Sequence, residues 1–581
     1  MLAFFGVGCK MARYPTGKPY VYKVKINVVG QYKEDEKKRL EKQLEKQLDD
    51  SLRASKEQKK ALRFIPYYQK VYHEFDTSSI ARTGNFFRYA YVANGYFRGG
   101  ATTYRLDTLN KETGRLELTF TVRPYKNHRI DTVIYDIQDS SLQELAMRHR
   151  DATLIFKNDL YSQELLNAER NRLANLYRNN GYLRITRDNF KVIADTINRS
   201  LFVFTTDPLE QAALMYEASK FDENPTTTVT FTLNTPLDSS RLKKYYIGNI
   251  DIFPDNADRD TIPPNSERIN NHITKSYFKN TFQNKIFPPQ IYLKKGALYR
   301  QSDYDKTYNA LNYLGAWQQV NITPRDSLRS DTVDFSVYML PYRKYQGERR
   351  LEGSYNQSNG SGNTQIGNLW GVNISQLVKN RNLARQAIQT TFEARAGIEF
   401  RGSNPNDANT SDQQFVNAGE FSLTYDMLFP KFLPNRQKEA RTLKKFWGKV
   451  SVPKTLLSVN SRYSERFKFF QLAEVNFSHA YLFKFRDDYN ISASFINVER
   501  KFLVDSDSLK RRIARYPILA FIFNDGFILG QKFSISRTVP AKTRNKRSVT
   551  GTWRFSFENS GLPVSFIPLK EFRNNLFNFT K

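Results

Sequence analysis

The sequence predicts α+β repeats followed by an antiparallel β-barrel of the transmembrane kind. Three observations predict this. Phe-centred alternating segments closed by Pro recur three times in the first 346 residues. Upstream of each, a helical stretch stops at a glycine followed within two residues by an aromatic. From residue 347 the texture changes to long strands with a strict two-residue apolar period.

Length and composition set the bounds. At 581 residues the chain is too long for one ordinary domain. With 40% hydrophobic residues, including 44 Phe and 34 Tyr, it is not a disordered chain. No stretch reaches the roughly 18 apolar residues of a membrane helix. Low hydropathy rich in aromatics still fits a β-barrel, whose strands never form long apolar runs. A single Cys builds neither a disulfide framework nor a Cys-based zinc site, and five scattered His give little metal chemistry. The net charge of +31 is spread along the chain: residues 347–581 hold 36 basic against 19 acidic side chains, or +17, leaving +14 for the rest. A diffuse excess without a zinc-finger or RNA-binding signature points to anionic lipid or acidic partners rather than nucleic acid.

The chain opens Met1-Leu2-Ala3-Phe4-Phe5-Gly6-Val7-Gly8-Cys9, an apolar octet before the only Cys. This resembles the end of a bacterial lipoprotein signal, in which the Cys is acylated and the residues before it are removed. Gly6 stands where a branched aliphatic is usual, and no basic segment precedes the octet. Cys9 is accordingly the candidate lipid anchor, the alternative being an incidental buried or free thiol. Residues 1–18 read as signal and tether.

Three modules follow, at 19–127, 128–238 and 239–346. Each opens on a strand (22–29, 130–137 and 245–253) and closes on an alternating one: Leu116–Pro124, Thr228–Pro236 and Val333–Pro341. Pro at the end of each cannot donate to a ladder. The helix terminators are Gly95, Gly181 and Gly315, since Gly takes the left-handed conformation at a helix end without a Cβ penalty. Phe75 to Gly95 and Tyr161 to Gly181 are each 20 residues, and Tyr299 to Gly315 is 16. In module one Leu40, Leu44, Leu48 and Leu52 form a single stripe, the mark of a helix docked on a core. In module three Ser302 and Asp305 make a capping-box pattern, with Tyr304, Tyr308 and Leu311 on one face. The predicted unit is strand, helix, helix, strand, strand.

Residues 347–581 carry about nine alternating segments. The cleanest, Ile388–Arg401, sets Ile388, Phe392, Ala394, Ala396, Ile398 and Phe400 against Gln389, Thr391, Glu393, Arg395, Glu399 and Arg401. Others lie at Arg349–Gln357, Gln365–Ile374, Gly419–Met427, Leu457–Tyr463, Ala473–Tyr481, Tyr489–Phe495, Gly530–Arg537 and Val549–Glu558. A soluble sandwich alternates too. Strands that approach the 9–11 residues needed to cross a bilayer, and charges in mid-strand on the polar side, favour a barrel with a wet interior. An odd count of strands, and an end at Phe579-Thr580-Lys581 rather than on a terminal aromatic, predict a sheet that stops partway round.

The repeated unit resembles the POTRA domain. Three such modules feeding a barrel resemble the BamA/TamA superfamily of outer-membrane assembly proteins. With Cys9 and the run Arg13-Tyr14-Pro15-Thr16-Gly17-Lys18-Pro19-Tyr20, the chain is most similar to its TamL branch, the TamA-like lipoproteins of Bacteroidota. Gly367-Asn368-Leu369-Trp370-Gly371 resembles the family's early barrel, and Pro517–Phe521 with Asn524-Asp525-Gly526 its middle. The family's Arg-Gly-Phe-type lumen motif is not found: Phe400-Arg401-Gly402 falls too early and reads as a strand end.

The resemblance implies about nine of sixteen barrel strands, POTRA-like modules in the periplasm of a Gram-negative cell, and a barrel in the outer-membrane bilayer. It also implies a lateral gate whose first strand holds Leu351, Gly353 and Tyr355. Implied partners are client outer-membrane β-barrel proteins, bound by β-augmentation, and a TamB-like periplasmic protein. No cofactor is implied. Lipid transport and a two-partner-secretion-type transporter are the alternatives, though the latter class typically carries two modules. An enzyme is disfavoured: no Gly-x-Ser-x-Gly elbow occurs, and neither His128 nor His479 has a nucleophile–base constellation around it.

Overall fold

The computed structural model describes residues 12–15, 17–30, 32, 34–61, 65–110, 112–196, 225–233, 242–326, 330–356, 369–401, 416–433, 453–466, 470–485, 489–516, 526–539 and 551–560. These fall into two compact units that divide between Lys244 and Tyr245. Cys9, the 517–521 segment and the 577–581 end lie outside the described residues.

The first unit begins with β1 (Ala12–Arg13) and β2 (Tyr20–Val28), then α1 (Glu34–Glu45), β3 (Ser55–Ala61), β4 (Ile65–Val71), α2 (Ser78–Ala93), β5 (Gly100–Asn110) and β6 (Arg115–Pro124). Strand β6 lies at the centre of its sheet, parallel to β2 and antiparallel to β5. Its two-residue period turns Leu116, Leu118, Phe120 and Val122 onto the core. Leu40 and Leu44 of α1 meet them with Phe87 and Tyr91. Leu48 and Leu52 join the same core but lie past the end of the helix, Leu52 in a single 3-10 turn (Asp50–Leu52), so the four leucines pack together without sharing one helix.

An unanticipated element is the hairpin β3–β4, with β1 added parallel to β4 as a separate three-stranded sheet. Beside it Tyr72 stacks on Tyr14 and Tyr22, at 5.2 and 5.8 Å, and the Arg115 guanidinium lies over the rings of Tyr14 and Tyr22.

The same plan recurs in β7 (Arg129–Asp136), α3 (Ser140–Arg148), α4 (Gln163–Arg178), β8 (Phe190–Asp195) and β9 (Thr226–Leu233), with β9 between parallel β7 and antiparallel β8. Buried Glu169 accepts from the Tyr135 hydroxyl at 2.6 Å, from Arg172 and from the Leu154 N–H. Burial acts to raise its carboxyl pKa, but these hydrogen bonds outweigh it and hold the group below its ordinary value.

The two modules meet at the first helix terminator. Gly95, at φ +81°, accepts the His128 N–H on its carbonyl at 3.0 Å, and an added Cβ would lie 2.8 Å from Cβ of Tyr161. Phe97 packs edge-on against both His128 and Tyr161, at 4.9 and 4.8 Å.

The third module comprises β10 (Tyr246–Phe253), β11 (Asn265–Arg268), β12 (Ile273–Tyr277), α5 (Gln301–Tyr313), β13 (Trp317–Asp326) and β14 (Thr332–Pro341). It departs from the predicted unit. A hairpin, β11–β12, stands where the first helix was expected, and β12 extends the sheet parallel to β10. Residues 254–272 are rich in Pro, Asn and Asp, which break helices and favour turns, and carry no helical apolar period. Nor is there a capping box at Ser302: the helix cap is Arg300, which makes no side-chain cap bond. The buried face is Thr307, Ala310 and Leu311, with Tyr308 exposed.

Nine antiparallel strands follow in sequence order: β15 (Tyr345–Asn356), β16 (Leu369–Leu383), β17 (Ile388–Arg401), β18 (Val416–Phe429), β19 (Lys454–Arg466), β20 (Phe470–Phe485), β21 (Tyr489–Asp505), β22 (Gly526–Val539) and β23 (Gly551–Ser560). A short helix, α6 (Asp507–Arg515), precedes β22. Residues directly opposite in the ladder share a face. Ile374, Ala396 and Phe421 therefore lie on one side, with Tyr463 opposite Phe421, while Asn373, Gly397 and Glu420 lie on the other.

The apolar side carries exposed large side chains in every strand but β22, from Leu351 and Trp370 through Phe392, Tyr425, Val459 and Phe477 to Phe555; in β22 Phe527, Leu529, Phe533 and Ile535 are half-buried. The polar side holds cross-strand ion pairs, including Arg395–Glu352 and Arg462–Glu420. His479 sits on the apolar side, its ring bonded to the Leu433 carbonyl at 3.1 Å.

His128 carries a pH dependence. Burial holds its imidazole below the usual value, so the packed ring is neutral. The joint is fully stable above about pH 6.5, the unfolded value, and weakens as pH falls below it, because the unpacked ring protonates first. Hydrogen exchange of the His128 and Tyr161 amides is expected to accelerate from pH 7.5 to 5 relative to central-sheet amides. An unchanged ratio would refute this.

Candidate functional site: the module–sheet junction and the free edges of the sheet

All three predicted terminators sit in the left-handed region, with φ of +81° at Gly95, +98° at Gly181 and +67° at Gly315. Each lies against the next part of the chain. Gly95 meets His128 and Tyr161, and Lys244 lies over the Tyr182 ring next to Gly181, at 5.6 Å. Gly315 meets the sheet.

That last contact is the most developed. The final carbonyls of an α-helix have no partner within it and form its negative end. Here the sheet supplies donors. Gln389 of β17 donates to the Leu314 carbonyl at 2.6 Å, Arg381 of β16 to that of Gly315 at 3.4 Å, and Lys454 of β19 to that of Tyr313. The Lys454 ammonium also lies 3.6 Å from the centre of the Tyr313 ring, and Lys484 lies over the same ring. Gln389 and Lys454 are buried.

A second contact joins the turn between β16 and β17 to the module. Ala384, Arg385 and Ala387 hold φ of 53°, 60° and 55°, which costs non-glycine residues of the order of 1 kcal/mol each. The turn is held from both sides. Asn382 accepts from the Ala387 N–H and donates to the Thr281 carbonyl. Gln283 donates its N–H to the Arg385 carbonyl and its side-chain amide to that of Ala384. The 280–284 loop is fixed in turn by Lys275, 1% exposed, which donates to Asn280, Asn284 and the Phe282 carbonyl and pairs with Glu267.

Leu351, Gly353 and Tyr355 share the apolar face of β15, an edge of the sheet; among the described residues β15 and β23 each pair on one side only. Leu351 is 75% exposed, and a Cβ on Gly353 would meet nothing within 4 Å. Strand β15 starts four residues after β14 ends, and its base is tied by the Arg381 N–H donating to the Lys344 carbonyl. Sequence reading found the edge and the glycines but missed Gln283, Arg381, Asn382, Gln389 and Lys454. Their only local signal is a set of long polar side chains at the same end of neighbouring strands. Among the described residues no group of His, Cys, Asp or Glu is placed to hold a metal ion.

No family model and no curated protein matches the chain. Solved structures do overlay parts of it. POTRA domains 3–5 of BamA from Haemophilus influenzae align at 12% identity and a TM-score of 0.27, covering 56% of this chain and 98% of that one. BamA from Haemophilus ducreyi lacking POTRA domains 1–3 aligns at 10% identity and 0.28, covering 75% and 71%. CdiB from Acinetobacter baumannii aligns at 8% identity and 0.27, covering 75% and 68%.

Two substitutions test the junction. Lys454→Met leaves the Tyr313 carbonyl buried and unpaired and is expected to destabilise the second unit by about 1–3 kcal/mol. Gly315→Ala imposes a positive φ on a residue whose Cβ would stand 2.5 Å from the Gln389 amide nitrogen, and is expected to cost about 1–2 kcal/mol. Denaturant titration of the full chain reads both. Leu351→Ala, at an exposed edge, should stay within about 0.5 kcal/mol.

Proposed function

We propose that this chain is an outer-membrane assembly and translocation factor of the BamA/TamA superfamily, with its modules in the periplasm and its nine-stranded sheet as barrel wall. The observation that carries the reading is the sheet's face. Nine consecutive strands of 10 to 17 residues expose one continuous apolar side and turn their ion pairs to the other. In water such a surface is an aggregation hazard; against lipid it is what a spanning strand requires.

The edge strand β15 is the proposed gate. Unpaired backbone groups are not tolerated in hydrocarbon, so a client segment that arrives beside Leu351, Gly353 and Tyr355 gains a ladder there. Templating needs no covalent chemistry, and the chain is proposed to be a non-enzyme. Clients are proposed to be outer-membrane β-barrel proteins, met first at exposed module edges such as β5, with a TamB-like protein as a further periplasmic partner. Cys9 is proposed as the lipid anchor of a TamL-type protein of Bacteroidota.

Photo-crosslinking side chains at Leu351 and Tyr355 should capture a nascent barrel client, while one at Phe392 in β17 should not. Equal capture at all three sites would remove the gate from the proposal. Labelled palmitate should enter the wild-type chain and fail to enter Cys9→Ser; equal incorporation in both would remove the anchor.

A further inference from the structure

Among the described residues the apolar face of the sheet carries four charged side chains, Arg349, Glu465, Arg500 and Arg537. The last two lie toward opposite ends of β21–β22, with Phe502 and Val504 continuing the face past Arg500. In β21 a bulge at Phe495 inserts one residue: Ser494 pairs with Lys532, but Asn497 pairs with Gly530. The bulge reverses parity, so odd positions face the apolar side below it and even positions above it. Tyr489 and Ile491 therefore share a face with Val498, Arg500 and Phe502. Strand β22 is regular, and its odd positions Phe527, Leu529, Phe533, Ile535 and Arg537 lie on that same side, with Arg537 opposite Trp553 of β23.

Arg500 stands opposite Phe527, ten residues along β22 from Arg537. At about 3.3 Å per residue and a barrel tilt near 40°, ten residues climb about 25 Å, the height of the apolar band of an outer-membrane barrel. Each arginine rests on an aromatic: Arg500 over Phe502 at 4.8 Å, Arg537 over Tyr489 at 4.9 Å, with Trp553 edge-on to Tyr489. The Tyr489 end is the module end, since Lys484 on the preceding strand reaches Tyr313. A third arginine on this face, Arg349, lies lower in the edge strand and donates to Gln376 at 2.7 Å. An arginine at mid-bilayer costs about 2–4 kcal/mol and little at the interface. Aromatic stacking of a basic side chain is a common arrangement of an interfacial residue.

The geometry points to Arg500 and Arg537 as lipid-headgroup anchors, each taking the phosphate of a surrounding lipid, Arg537 in the leaflet on the module side and Arg500 in the opposite leaflet. Guanidinium binds phosphate through paired N–H donors. The two together fix the depth of β21–β23 in the bilayer. The inference rests on the reading of the sheet as a barrel wall.

The test uses the full chain in vesicles of phosphatidylglycerol and, separately, of a phosphate-free galactolipid, with native mass spectrometry of retained lipid and protease protection of the strands. Phosphatidylglycerol retention is expected to fall about fivefold for each of Arg500→Gln and Arg537→Gln, since a basic residue at an anionic surface is worth about 1 kcal/mol. Arg500→Lys should keep part of it. Arg554→Gln, on the polar face, should retain as the wild type does, and no variant should change galactolipid retention. If wild-type strands are protected but the glutamine variants hold phosphatidylglycerol normally, the anchors are wrong and the membrane reading stands. If wild-type strands are unprotected in both vesicles, that reading falls and the anchors with it.

Discussion

The bare carbonyl end of α5 is the constraint around which the second unit is organised. A helix terminus buried without partners would leave several backbone acceptors desolvated, each at a cost of about 1–3 kcal/mol. Three strands of the sheet, distant in sequence, contribute Gln389, Arg381 and Lys454 to that one spot. These polar contacts tie β16, β17 and β19 to the helix end of the third module. The strained turn at Ala384–Ala387 adds a second fixed point, held by hydrogen bonds that Gln283 donates and that Asn382 accepts.

Much of the architecture was legible because it depends on short periods. Alternation alone delimited Ile388–Arg401 at its observed bounds and separated Glu393 and Arg395 from Phe392 and Ala394. The three glycines were legible because a helix end has few ways to terminate, and Gly95, Gly181 and Gly315 all take the left-handed conformation. The burial of Leu40, Leu44, Leu48 and Leu52 was legible because apolar residues recurring every fourth position need a core, although the helix ends at Glu45 and carries only the first two.

What escaped depended on distance or on mixed signals. Lys454 and Tyr313 are 141 residues apart, and nothing local to either marks the other. Strand β3 reads Ser-Lys-Glu-Gln-Lys-Lys-Ala, with no alternating apolar residues, so nothing in it announces a partner for β4. In the third module strict repetition predicts a helix, whereas the Pro- and Asn-rich residues 254–272 lead into the hairpin β11–β12. Spacing puts Tyr304, Tyr308 and Leu311 on one face, but the helix buries Leu311 with Thr307 and Ala310 and leaves Tyr308 exposed. The bulge at Phe495 shows the same limit in a strand: a single inserted residue reverses which side chains lie on the apolar side, and no two-residue period announces it.

The parallel pairing of first and last strands in every module has a mechanical side. Strands β2 and β6, β7 and β9, and β10 and β14 run side by side in the same direction. The chain thus enters each sheet at one end and leaves at the other. Tension applied along the polypeptide loads the ladder between these strands in shear, with all its hydrogen bonds stressed together, rather than opening it one bond at a time from an end. In each module a pull along the chain would therefore meet a ladder loaded in shear.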